Sequence, residues 1–113
     1  MPKPAKGSPP QVKTQAVRGS RTGRPIMALL DLLGRRWTLR ILWELRDGAL
    51  TSRGLRTACD EASPTVLNER LKELREADFI ELGDGGYSLT ALGRELSRTC
   101  MPLYHFAERW SRR

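Results

Sequence analysis

The chain has 113 residues, 29% of them charged, and a formal net charge of +7 at pH 7. Its length suffices for one domain, and it contains no apolar run of the roughly 18 residues that a membrane helix needs. The spacing of Cys59 and Cys100 fits neither a zinc site nor a redox pair. We therefore expect two buried apolar thiols, no metal site and no cofactor.

Residues 1–24 are rich in proline and glycine and carry six basic residues but no acid. Such a segment cannot bury enough apolar surface to offset its ordering entropy, which predicts a disordered basic tail. The remainder, residues 25–113, is nearly neutral, with 14 basic and 13 acidic side chains. The asymmetry favours a polyanion as partner, with a solubilising leader as the alternative. No apolar segment of signal-peptide length follows the tail, so we expect a cytoplasmic protein.

Two helices are predicted at the start of the folded part. Pro25 begins the first, which is apolar nearly all round and ends at Gly34. A helix of this kind must be covered on more than one side, by its own core and by a partner subunit. The second is predicted over residues 37–46, and its inward face consists of Trp37, Ile41, Leu42 and Leu45.

The third and fourth helices follow with the short spacing of a helix-turn-helix. Thr51 is positioned to cap the third, which is predicted over residues 52–60. Ser63 and Pro64 predict the start of the fourth, which runs over residues 64–77. Its inward stripe consists of Leu67, Leu71 and Leu74.

A hairpin and a long helix complete the chain. Residues 79–82 and 87–89 alternate as strands around the Gly-Asp-Gly-Gly turn at 83–86, and residues 49–50 can add a short strand. Thr90 caps the last helix, and Pro102 within it predicts a kink or a restart. Apolar surface left over on the first and last helices predicts a dimer interface, formed by Met27, Leu30, Leu103, Phe106 and Trp110.

The polar face of the fourth helix suits the reading of DNA. Asn68 can bond adenine bidentately, Glu69 can accept a hydrogen bond from cytosine, and Arg70 can reach guanine or phosphate. The alternative is a solvated face that carries ion pairs along the helix. The candidate DNA contacts are Ser63, Thr65, Val66, Asn68, Glu69, Arg70 and Lys72, with Arg53, Arg35 and Arg36 as backbone contacts.

Four stretches, in this order, resemble the HxlR-type winged helix-turn-helix transcription regulators of bacteria and archaea. Residues 28–39 are similar to the family's helix entering a Gly-x-Lys/Arg-Trp-Thr segment, and residues 48–50 stand at its Gly-Pro position. Residues 63–74 follow the family pattern Ser-Pro-x-x-Leu-x-x-Arg-Leu-Lys-x-Leu, and residues 87–93 follow Tyr-Ser-Leu-Thr-x-x-Gly.

The resemblance implies a fold and a function. The fold is a mainly α winged helix-turn-helix over residues 25–113, with a short two- or three-stranded wing sheet and N- and C-terminal dimerisation helices. The function is a transcription regulator that binds double-stranded DNA at a pseudo-palindromic operator as a homodimer. Many family members begin the first helix with Cys-Pro, and some use that cysteine in redox sensing. This chain has Arg24-Pro25 there, so that mechanism does not transfer.

Other functions compete with this one. A winged helix used only for protein–protein contact is one alternative. A thiol- or ligand-responsive regulator is another, with a small-molecule effector near Trp37, Trp43 and Tyr104. An enzyme is not expected, because the single histidine, His105, has no acid pair or nucleophile beside it in the sequence, and the glycine-rich stretch lies in a hairpin.

Overall fold

A computed structural model describes residues 24–113. Within that range the elements are α1 (Pro25–Leu33), α2 (Thr38–Glu44), α3 (Ser52–Ala58), α4 (Pro64–Glu76), β1 (Ile80–Gly83), β2 (Gly86–Leu89) and α5 (Ala91–Arg112). The predicted mainly α winged helix-turn-helix is confirmed. The predicted tail at residues 1–24 lies outside the described residues except for Arg24, the N-cap of α1.

The core lies where α2, α3 and α4 meet under the hairpin and the first half of α5. The inward stripe predicted for α4 is confirmed, because Leu67, Leu71 and Leu74 are at most 2% exposed. Cys59 and Cys100 are free and buried, as expected. Burial raises the pKa of both thiols, which keeps them protonated and poorly reactive.

Helix α2 is shorter at both ends than the predicted 37–46. It begins at Thr38 because Trp37 takes the left-handed conformation, with φ 77°, at the N-cap. This conformation is costly for a bulky side chain, by about 1–3 kcal/mol, so the surrounding turn must hold it. The Arg36 guanidinium covers the Trp37 ring at 5.3 Å from its centroid. At the other end the helix stops at Glu44, with Leu45 as the C-cap.

The ends of α3 and α4 also differ from the predictions. Helix α3 ends at Ala58 instead of residue 60, because the chain there turns into left-handed residues. Helix α4 ends at Glu76, with Ala77 as its C-cap. Thr51 accepts the capping hydrogen bond from the Gly54 amide at 3.0 Å, as predicted. Ser63 occupies the N-cap of α4 but makes no side-chain capping bond.

The wing is an antiparallel hairpin whose register runs from Ile80 opposite Leu89 to Gly83 opposite Gly86. The first strand therefore begins one residue later than predicted, and Asp84 and Gly85 alone form its loop. The short strand predicted at 49–50 is reduced to one bridge, in which Leu50 and Tyr87 exchange two backbone hydrogen bonds of 2.8 and 2.9 Å. This bridge attaches the wing to the chain that enters α3.

Helix α5 runs without interruption from Ala91 to Arg112. Of the kink or restart predicted at Pro102, the restart is therefore wrong. A proline removes one backbone hydrogen bond and displaces the preceding turn, which a long helix tolerates when both halves are held elsewhere. Cys100 is buried in the core before the proline. After the proline, the Tyr104 hydroxyl donates a hydrogen bond of 3.4 Å to the Leu39 carbonyl oxygen. Both halves are thus anchored to the body of the domain.

The start of α5 is locked against the segment that follows α4. The Thr90 hydroxyl accepts a hydrogen bond from the Gly93 amide at 2.9 Å and donates one to the Asp78 carbonyl at 2.6 Å. The Thr90 amide donates to the Phe79 carbonyl at 3.1 Å. Gly93 packs so closely on that same carbonyl that a Cβ would overlap its oxygen. The Ser-Leu-Thr-x-x-Gly stretch is therefore a packing motif.

Candidate DNA-binding surface

The turn between α3 and α4 is built on two left-handed residues, Asp60 with φ 58° and Glu61 with φ 61°. Neither is a glycine, so the turn has to be stabilised from outside. Ala62 is 4% exposed and anchors the turn to the core. The Arg56 guanidinium donates to the Ala62 carbonyl at 3.2 Å and lies 3.7 Å from the Glu61 carboxylate.

Arg40 of α2 holds the same turn from the other side. Its guanidinium donates to the Ala58 carbonyl at 2.6 Å, to the Asp60 carboxylate at 3.2 Å and to the Glu44 carboxylate at 2.8 Å. The hydrogen bond with Glu44 is the largest of the influences that raise the pKa of Arg40. Sequence reasoning missed Arg40 and Arg56 because no local pattern shows which carbonyl groups a distant arginine will reach.

Replacing Arg40 with alanine is expected to destabilise the turn. The carbonyl at the end of α3 loses a charged donor and Asp60 loses its counter-ion, so the free energy of unfolding should fall by about 1–2 kcal/mol, a value reduced by partial exposure. Chemical denaturation measures the change. The matched control is Arg98→Ala, since Arg98 is an exposed arginine of α5 for which the described residues show no ion pair. Equal stability of the two variants would refute the role given to Arg40.

The exposed face of α4 carries Thr65, Asn68, Glu69 and Lys72. These positions follow i, i+3, i+4, i+7 spacing, so they lie in one stripe opposite the buried leucines. Ser63 is exposed at the start of the helix, and because its side chain makes no capping bond, the first-turn amides suit an anionic oxygen. Val66, also predicted as a contact, is half-buried beside this stripe.

Basic side chains flank the exposed face. Arg53 is exposed in the first turn of α3, and Arg36 is exposed in the turn before α2. A shallow groove of about 510 Å³ separates the second half of α4 from β1, and Lys72, Arg75 and Leu82 are among its lining residues. Sequence reasoning missed Arg75, although its position three residues after Lys72 on the same helix was a usable signal.

Two predicted contacts, Arg35 and Arg70, lie in ion pairs within the protein. Arg35 is 3.2 Å from the Asp31 carboxylate and 3.3 Å from the Glu73 carboxylate. Arg70 is 3.1 Å from Glu73 and 3.3 Å from Glu69. Both arginines therefore differ from Arg36 and Arg53, whose guanidinium groups are exposed and have no carboxylate partner shown among the described residues.

A second surface, on α1 and α5, is apolar and uncovered. Helix α1 has no buried residue, although most of its side chains are apolar. Of the predicted interface residues, Met27 is half-buried, while Leu30, Leu103, Phe106 and Trp110 are between 52% and 57% exposed. Ile26, 51% exposed, belongs with them but was not predicted. Its spacing of four residues from Leu30 was the available signal.

A family model described as HxlR-like helix-turn-helix matches residues 32–113. The chain belongs to the HxlR-like family. A curated relative, the HTH-type transcriptional regulator MJ0925 of Methanocaldococcus jannaschii, is 26% identical over 88 residues, which cover 74% of this chain and 83% of that protein. Members of the family are transcription regulators, so the helix-turn-helix described above is a regulator's DNA-binding motif.

Two solved structures are similar in fold, both of YodB from B. subtilis. The quinone-bound form has a TM-score of 0.69 and 28% sequence identity, and the match covers 74% of this chain and 96% of that one. The reduced form, described as a transcriptional regulator, has a TM-score of 0.61 and 26% identity, with 78% of this chain and 90% of that one covered. The winged helix-turn-helix fold of this HxlR-like chain is thus seen in solved members.

An open groove of about 640 Å³ lies between α2 and α5 in this HxlR-like chain. Trp43 and Tyr104, two of the residues predicted near an effector, line it with their ring centroids 4.7 Å apart. Trp37, the third, is not among the lining residues. The Arg46 guanidinium already covers the Trp43 ring at 3.7 Å. Arg46 is not among the residues that line the groove, so this contact leaves the groove open.

Residues 24–113 contain neither a cluster of metal ligands nor a membrane-spanning helix. No cluster of three or more metal-ligating side chains occurs in this range. None of its helices is long and apolar enough to cross a membrane.

Proposed function

We propose that this HxlR-like protein is a sequence-specific regulator that binds a pseudo-palindromic operator as a homodimer, in the cytoplasm, with α4 in the major groove. The observation that carries the proposal is the face of α4 itself. Four exposed polar side chains lie opposite three buried leucines, directly after a turn that two arginines hold in place. A rigid helix with its polar residues near its N-terminal half is what base readout requires.

Each exposed residue of α4 has a role suited to its chemistry. Asn68 bonds the adenine edge bidentately, Thr65 contacts a thymine methyl or a phosphate, and Glu69 accepts from the cytosine amino group. Lys72 and the first-turn amides after Ser63 bind phosphates. Arg53 and Arg36 are exposed and serve as further backbone contacts. The folded part is nearly neutral, so specific contacts must supply much of the affinity.

The homodimer is proposed from the apolar surface on α1 and α5. A monomer would leave five large apolar side chains of these two helices more than half exposed to water. A second copy of the chain is the partner that a two-fold operator requires. The dimer would place two copies of α4 about 34 Å apart, one turn of DNA.

Selection of bound sequences from a random DNA library tests the function directly. We expect an enriched motif with two inverted half-sites whose centres lie about 10 base pairs apart. A library that remains unenriched after repeated selection at moderate salt would contradict the proposal. That result would favour the remaining alternative, a winged helix used only for protein–protein contact.

Replacing Asn68 with alanine should weaken binding to the selected operator by about 1–3 kcal/mol, since one bidentate base contact is lost. Because Asn68 is exposed, the fold should persist, and thermal unfolding checks this. Titration at fixed salt measures the affinity, with Arg98→Ala as the control variant. Unchanged operator affinity for Asn68→Ala would remove this residue from the proposed site.

The proposal includes neither a thiol response nor the quinone of YodB. Both thiols are buried and their pKa is raised, and Arg24 stands where many family members have a cysteine. The groove between α2 and α5 is wide open to solvent, and nothing in its lining is specific for a quinone.

A further inference from the structure

Five charged side chains form a continuous series from α1 to the exposed face of α4. In order they are Asp31, Arg35, Glu73, Arg70 and Glu69, and we call them the ion-pair chain. Successive carboxylate and guanidinium atoms are 3.2, 3.3, 3.1 and 3.3 Å apart. Charges alternate along it, so each inner member has an opposite charge on both sides. It connects a helix of the proposed dimer surface with a residue of the proposed reading face.

The centre of the ion-pair chain is shielded from water. The Arg70 side chain is 13% exposed, and neither its Nε nor the facing Oε1 of Glu73 is accessible to solvent. These two atoms are paired by charge, 3.1 Å apart, without hydrogen-bond geometry. If Arg70 moved out to a phosphate, the shielded Oε1 of Glu73 would lose the cation that faces it, and Glu73 would keep only Arg35, which lies at Oε2. Weakening the pairing of a shielded carboxylate opposes that movement.

The exposed end of the ion-pair chain is Glu69. Its carboxylate is 65% exposed, and Oε1 accepts a hydrogen bond from Arg70 Nη2 at 3.3 Å. A glutamate on a helix surface has several rotamers of similar energy, and fixing one of them favours a directional contact with a base. Arg70 thus restrains the only acidic side chain on the stripe of Thr65, Asn68, Glu69 and Lys72.

We propose that Arg70 is a positioning residue which sets the specificity of DNA reading through Glu69, and that Arg35 holds Glu73 in place for it. The inference rests on the proposed DNA-binding function and goes beyond it, because it assigns two arginines to orientation instead of contact. Arg35 suits the role since it lies in the turn that contains left-handed Trp37 and reaches α4 from there. Because Arg35 pairs with Asp31 of α1 and Glu73 of α4, it restrains the rotation of α4 about its own axis relative to α1.

Salt dependence separates positioning from phosphate contact. Removing a phosphate contact lowers the slope of log affinity against log salt concentration by about 1, whereas removing a positioning residue leaves it unchanged. We expect Arg70→Gln, Arg70→Lys and Arg35→Ala to keep the wild-type slope. Arg70→Gln is the decisive variant, because lysine keeps the positive charge and would preserve a phosphate contact, so a lowered slope in Arg70→Gln would overturn the proposal. We also expect all three variants to reduce the preference for operator over random DNA by about 5- to 100-fold. Lys72→Ala is the matched control on α4, and its slope should fall.

The conservative variant adds a second criterion. Lysine keeps the charge of Arg70 but has no planar fork to span Glu73 and Glu69 together, so it should fail to restore the preference. Glu69→Gln should lose the preference for operator at the base pair where Arg70→Lys loses it. The double variant Arg70→Lys with Glu69→Gln should lose no more of this preference than Glu69→Gln alone. A lowered slope in Arg70→Lys or Arg35→Ala, or additive losses in the double variant, would overturn the proposal.

A measurement on the free protein keeps this inference separate from the proposed function. In spectra of protein labelled with ¹⁵N in arginine, the Arg70 Nε–H should exchange slowly with water and should shift in both Glu73→Gln and Arg35→Ala. Rapid exchange, or no shift in Arg35→Ala, would overturn the ion-pair chain even if the protein binds DNA. Absence of an enriched DNA motif together with slow exchange would instead refute the proposed function, and with it the role of the chain in reading.

Discussion

Replacing Gly93 with alanine should lower the free energy of unfolding by about 3 kcal/mol, which is a large part of the stability of a small domain. A Cβ at this position would overlap the Phe79 carbonyl oxygen, a backbone atom that cannot rotate away. That oxygen also accepts the Thr90 amide hydrogen bond, so moving it breaks the lock at the start of α5. Overpacking of this kind outweighs the gain of up to about 1 kcal/mol that alanine brings to a helix.

Urea denaturation measures the loss, and Gly83→Ala is the matched control. A Cβ at Gly83 would meet no atom within 4 Å, and the backbone there needs no left-handed conformation. The control should therefore stay within about 0.5 kcal/mol of the wild type. If Gly93→Ala unfolded at the same urea concentration as the control, the close packing of α5 on Phe79 would not be a stabilising feature.

Local signals predicted most of the fold. The leucines of α4, the caps Thr51 and Thr90, and the hairpin are short-range features in which a residue and its partner lie within a few positions. The errors share one cause, which is tertiary contact. Left-handed Trp37 shortens α2, and left-handed Asp60 and Glu61 shorten α3. Trp37 packs partly against the core, and Arg40 and Arg56 hold the turn at Asp60 and Glu61. Sequence periodicity shows none of these contacts.

The candidate site, too, was only partly predictable from the sequence. The exposed stripe on α4 was predictable because helical periodicity alone separates it from the buried leucines. The ion pairing of Arg70 was not predictable, because its partner Glu73 also pairs with Arg35, which is far away in the sequence. From the sequence, both Arg70 and Lys72 are cations of one helix that can reach DNA. In the structure one is held among carboxylates and the other is exposed.

The apolar surface on α1 and α5 connects this architecture to DNA binding. One copy of α4 reads only a few base pairs, whereas two linked copies gain from high effective concentration, typically by a factor of about 10² to 10⁴. The length of α5 beyond the core is consistent with this use, since the residues after Tyr104 are exposed. Helix α1 packs Leu29, Leu32 and Leu33 partly against the core but has no fully buried residue in one chain, so a partner would bury it further.

Replacing Phe106 with glutamate should convert the dimer into monomers and weaken operator binding by about 10² to 10⁴-fold. Phe106 is 53% exposed and lies between Leu103 and Trp110 on α5, so a carboxylate there would lose hydration in the dimer while the monomer fold is untouched. Sedimentation equilibrium measures the mass, and titration at fixed salt measures the affinity. Leu92→Glu is the control. It makes the same kind of change at a 45% exposed position about 20 Å away along the same helix. This variant should remain dimeric. A Phe106→Glu protein that stays dimeric would move the interface elsewhere, and a monomer with full operator affinity would show that one copy of α4 suffices.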